Sequence, residues 1–144
     1  FRLVQSGMPL PLGAIENLRS MLYIENLVAA VSAVVGSSRV AGATLLVADA
    51  QPISTPDLVR LIARALGRPA RLWHVPPSLL RALGRVGDAV NSVLHFPITS
   101  DTIFRLSESL VVDASSLTRL TDFRPPVTLE EGILATGVWF RATE

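Results

Sequence analysis

Apolar residues recur at helical spacing in four parts of the chain, and Gly, Pro, Ser and Asn break them up. Leu27, Val28, Val31, Val34 and Val35 form the first set, with Asn26 as the expected N-cap and Gly36-Ser37-Ser38 as the stop. Leu58, Leu61, Ile62, Ala65 and Leu66 form the second. Ser54 and Asp57 make a variant capping box ahead of it, Gly67 sits at the C-terminal cap, and Pro69 lies just beyond. Pro76-Pro77-Ser78 opens the third, a longer amphipathic helix with Leu79, Leu83, Val86, Val90 and Val93 on one stripe. Thr128 and Glu131 make a second capping box before the last helix, which places Leu129, Ile133, Thr136 and Phe140 on one face. A short helix is expected over 115–120.

Shorter runs between the helices read as strands. Residues 43–48 (ATLLVA) are nearly all apolar between Gly42 and Asp49, the pattern of a strand buried on both faces of a parallel sheet. Residues 8–13 (MPLPLG) carry Pro at alternate positions, which suits an edge strand. Residues 19–24, 71–75 and 109–113 are further short candidates, and 96–109 is ambiguous. Strands and helices alternate, so the expected class is α/β, or α+β if this piece stands alone.

Composition narrows the chemistry. The 144 residues suit one domain, and 49% are apolar, enough for a core. All 13 basic residues are Arg, so a catalytic lysine is excluded from this chain. The net charge of +1 is too balanced for a nucleic-acid binder. No Cys exists, which removes disulfides and thiolate chemistry. Two distant histidines, His74 and His95, do not suggest a metal centre. The apolar runs are far shorter than a membrane span, and no signal peptide is visible. The opening at Phe1 reads as an excised piece.

Four stretches in order resemble the C-terminal half of the extended short-chain dehydrogenase/reductase family, in its UDP-glucose 4-epimerase-like branch of NAD-dependent nucleotide-sugar epimerases and dehydratases. They are GMPLPLGAIENLRSMLYIENLVAAV (7–31), ATLLVADAQPISTPDLVRLIARALGRP (43–69), FRLSESLVVD (104–113) and DFRPPVTLEEGILATGVWF (122–140). The resemblance implies one C-terminal substrate-binding domain over 1–144, with one or two strands from the edge of a Rossmann-type sheet. It also implies an upstream NAD-binding domain of ~150 residues. NAD would be the cofactor of the parent protein and would not be bound by this piece. The family's Tyr and Lys pair is missing, since Tyr23 is followed by Leu27 at that offset and there is no Lys. The only near-match to a dinucleotide turn, Gly84 to Gly87, follows no strand. No catalytic residue is therefore expected here.

The same resemblance implies a substrate-binding set. Arg19 matches a diphosphate-binding arginine, and Arg105 a second one, although Leu106-Ser107-Glu108 replace the family's Pro-Gly-Asp. A guanidinium suits a diphosphate because its fork bonds two oxygens at once. Leu10, Pro11 and Leu12 match the segment whose backbone reads the nucleobase, and Asn17 could bond a phosphate or ribose. Each has a plainer reading: edge-strand surface for Arg19 and 10–12, a turn amide for Asn17. Tyr23, Trp73 and Trp139 are most simply packed aromatics. Arg81 and Arg85 read as a solvated face.

The implied ligand is a nucleotide-sugar such as UDP-glucose or UDP-galactose, the implied location the cytoplasm, and neither nucleic acid nor membrane is an expected partner. A homodimer or a self-associating fragment is expected, because unpaired strand edges seek cover. Two alternatives stay open: an NAD(P)-dependent reductase of a non-sugar substrate, and a non-catalytic dinucleotide-binding member. Convergence of Arg19 and Arg105 would favour the diphosphate reading.

Overall fold

A computed structural model describes residues 1–76, 78–80, 82 and 100–143, with no side-chain detail at 100, 102 and 103. The helices are α1 (Arg2–Gln5), α2 (Ile24–Val35), α3 (Thr55–Leu66), α4 (Ser100–Ser107), α5 (Ser115–Thr121) and α6 (Leu129–Thr143), with a 3-10 turn at Ser38–Val40. The stripe from Leu83 to Val93, with Gly84, Gly87, Arg81, Arg85 and His95, falls outside the described residues.

Both capping boxes form as the sequence dictates. The Ser54 hydroxyl accepts from the Asp57 amide at 3.2 Å and donates to its carboxylate at 2.6 Å. Gly67 closes α3 in the left-handed region at φ 65°. At α6 the Thr128 amide donates to the Glu131 carboxylate at 2.8 Å, and the Glu131 amide returns a bond to the Thr128 hydroxyl at 3.3 Å.

Helices α3 and α6 pack against each other and hold the larger core. Val59, Ile62, Ala63 and Leu66 of α3 join Val4 and Leu10, with Ile133 and Phe140 of α6 against them. Two glycines let α6 come close. A Cβ at Gly137 would lie 2.8 Å from the Ala65 Cβ, and one at Gly132 would lie 2.8 Å from the Tyr23 ring. A second cluster joins Ala30 of α2 to Leu117 of α5 and to Phe123.

The expected strands need correction. Among the described residues no strand forms; only isolated bridges do, pairing Leu10 with Leu72, and Arg19 with both Ile53 and Leu110. Residues 43–48 are not buried on both faces. Leu45 and Val47 turn onto the α2–α5 cluster, while Leu46 faces outward. The physical reason is pairing. A strand needs a neighbour for its N–H and C=O rows, and this run is fixed mainly at its ends, by Ala43 N–H to Val40 O and Asp49 N–H to Met21 O. The described chain is helices joined by extended segments, so the α/β expectation is not met within it.

Two further expectations change. Asn26 is not the cap of α2: the helix starts at Ile24, and Asn26 lies inside its first turn. Trp73 and Trp139 are not core residues but 61% and 64% exposed.

Candidate functional site

The segment 17–20 lies between two others. Arg19 exchanges backbone bonds of 2.9 Å with Ile53 on one side, and on the other Ser20 donates to Leu110 O at 2.8 Å and Leu110 to Leu18 O at 2.9 Å. Arg19 thus occupies the middle of three extended segments, not an edge. In extended backbone, side chains two apart share a face. Asn17 and Arg19 do so, and both grip the C-terminal end of α4.

Arg19 Nη1 donates to the Arg105 carbonyl. Asn17 is 1% exposed, and its amide is fully engaged. Nδ2 donates to the carbonyls of Leu106 at 3.1 Å and Glu108 at 3.2 Å, and Oδ1 accepts from the Thr55 amide, at the start of α3, at 2.9 Å. The Thr55 hydroxyl adds a second bond to Leu106 O at 3.1 Å. Ser109 completes the seam by accepting from Leu18 N–H at 3.0 Å.

The charges here are uneven. Arg105 Nε pairs with Asp101 at 2.8 Å, one helical turn back, in an exposed ion pair. Arg19 is half-buried and has no carboxylate partner among the described residues.

Leu10 is buried, and its backbone is committed: its N–H donates to Arg71 O at 2.8 Å and its C=O accepts from Trp73 N–H at 2.9 Å. Gly13 adds a bond to Trp73 O at 2.9 Å. The 10–13 turn is therefore laid along 71–73, with the Pro11 carbonyl and the Leu12 N–H as the groups between these bonds.

A second polar centre was not legible beforehand. Asn26, wholly buried, donates to Asp49 Oδ1 at 2.7 Å and to Val127 O at 2.8 Å, and accepts from Val127 N–H at 3.0 Å. Asp49 also accepts from the Tyr23 amide, at 3.1 Å to Oδ2. This hub ties the start of α2 to the approach to α6. The Tyr23 ring lies against Gly132, where an added Cβ would meet it at 2.8 Å. The sequence signal was only an Asp ending an apolar run and an Asn in a helical pattern.

Two grooves of about 490 and 560 Å³ flank 48–53 and 125–130, lined by Ile53, Val127 and Glu130 in one and by Asp49, Asp113 and Arg124 in the other, without Arg19 or Arg105. Among the described residues no cluster could hold a metal ion. Among the described residues no glycine-rich dinucleotide turn forms. Gly7, Gly42 and Gly67 adopt positive φ singly, and none opens a helix behind a strand.

Comparison with known proteins decides the likeness. This chain is similar to a UDP-glucose 4-epimerase. Over 140 residues it is 34% identical to the enzyme of that name from Vibrio cholerae, and the match covers 96% of this chain. The chain spans 40% of that epimerase's length. The resemblance carried by the four sequence stretches is thus borne out over nearly the whole chain. No family model matches, and no solved structure matches. No helix among the described residues is long and apolar enough to cross a membrane.

Proposed function

We propose that this chain forms the nucleotide-binding side of an NAD-dependent UDP-sugar epimerase. The observation that carries the reading is Arg19: a half-buried guanidinium without a carboxylate partner among the described residues, in contact with the segment bearing Arg105. The likeness to a UDP-glucose 4-epimerase supplies the ligand class. Arg19 would hold the diphosphate in a two-pronged contact, and Arg105 would join it by exchanging Asp101 for phosphate. Because Leu10 has spent both backbone groups, the nucleobase would meet either the Pro11 carbonyl or the Leu12 N–H, which their shared trans peptide turns to opposite sides.

The acid and base for the sugar would lie on another part of the protein. Tyr23 is packed on Gly132, and the chain has no Lys. NAD would accept and return the sugar hydride on another part of the protein; this chain binds and orients the substrate. The test is turnover in the complete natural protein. Interconversion of UDP-glucose and UDP-galactose is the expected result. Binding of UDP without interconversion would move the reading to another UDP-sugar reaction, and failure to bind UDP would refute it.

A further inference from the structure

We infer that Asn17 is a positioning residue, a latch that holds Arg105 beside Arg19, and not itself a ligand of the substrate. The inference rests on the proposed diphosphate site and adds how that site is built. Arg105 stands at the end of an eight-residue helix whose own ion pair, to Asp101, is solvent-exposed. Nothing in that pair fixes the helix end to Arg19. Asn17 does so. Its two N–H bonds take the carbonyls of Leu106 and Glu108, on either side of Ser107 and directly after Arg105. Its Oδ1 is anchored in turn on the α3 N-terminus through Thr55 N–H. The amide has two donors and one acceptor in use and is 1% exposed, so no N–H is left for a phosphate or ribose. Thr55 Oγ1 is the second tooth of the latch, on the same Leu106 carbonyl.

Asn17 lies two residues from Arg19 on one face of an extended segment, so the same short stretch sets both cations. Releasing the latch frees the Arg105 segment. The cost then falls on ligand affinity, through Arg105, and not on the chemical step.

A double-mutant cycle in the complete natural protein tests this, with UDP as the probe in titration calorimetry and kcat and KM for the UDP-sugar as the second readout. Asn17→Ala is expected to weaken UDP about tenfold, and Thr55→Val about threefold. The kcat should stay within about twofold. In an Arg105→Ala background both losses should vanish, because the latch then has nothing to position. Wild-type UDP affinity in folded Asn17→Ala would overturn the inference, as would the same loss with and without Arg105. Should Asn17→Ala fail to fold, Thr55→Val, which removes only a hydroxyl, decides by the same criteria. If Arg19→Ala and Arg105→Ala leave UDP binding untouched, the diphosphate site itself falls. If those two weaken binding and Asn17→Ala does not, only the latch falls.

Discussion

Among the described residues Asn17 and Asn26 are the largest fully buried side chains, and both are amides. A buried amide is tolerated only when its donors and acceptor are met, and here each ties segments far apart in sequence. Asn26 joins position 49 to position 127, and Asn17 joins 55 to 106–108. Removing Asn26 leaves an Asp49 carboxylate and a Val127 peptide without their partner. Asn26→Ala should therefore destabilise the protein by about 2–4 kcal/mol in denaturant melts. A loss below ~0.5 kcal/mol would show that the hub is replaced by water at no cost. Such residues explain what the sequence could not disclose. Asn26 was legible as a helix-start residue because Asn favours caps, but whether it caps or bridges depends on Asp49 and Val127, which pattern cannot bring together. Arg19 and Arg105 were legible only through resemblance; nothing in their local pattern separates them from surface arginines.

At the scale of elements, the capped helices α3 and α6 were legible, α1 and α4 were not, and the strands read from apolar runs do not form among the described residues. Caps and 3.6-residue periodicity are local, so Ser54, Asp57, Gly67, Thr128 and Glu131 act as they read. A strand is a relation between two segments, and the apolar run 43–48 has no second one among the described residues. The caps also carry a pH signature. The Ser54 hydroxyl, aided by Arg60, holds the Asp57 carboxyl below its ordinary value, and Thr128 lowers Glu131 in the same way. Both pKa values are lower in the folded state, so the stabilisation is present above the ordinary carboxylate range. It is lost as pH falls below about 4. The melting temperature should drop on acidification to about pH 3, and less so in the double variant Asp57→Asn, Glu131→Gln. An equal drop in both proteins would place the acid sensitivity elsewhere. Both groups are exposed, so the effect is small and screened by solvent.

The whole molecule shows more apolar surface than a lone domain hides well. Ile24, Val28, Val31 and Val35 lie along one stripe of α2, all exposed, and Leu46 and Trp139 add to the exposed apolar surface. Patches of this kind mark contact surfaces. The 144-residue chain by itself should self-associate, with an apparent mass in light scattering that rises with concentration. Val28→Lys with Val31→Lys should reduce that rise, and a concentration-independent monomer would contradict the expectation. The role proposed for Arg19 is narrower: it would receive the diphosphate of a uridine nucleotide. Titration calorimetry of UDP into the complete natural protein, wild type against Arg19→Ala, tests it most directly. UDP should bind the wild type, and Arg19→Ala should weaken it by about tenfold or more, the loss of a charge-assisted two-pronged contact. Equal affinities in the two proteins, or no UDP binding by the wild type, would contradict it.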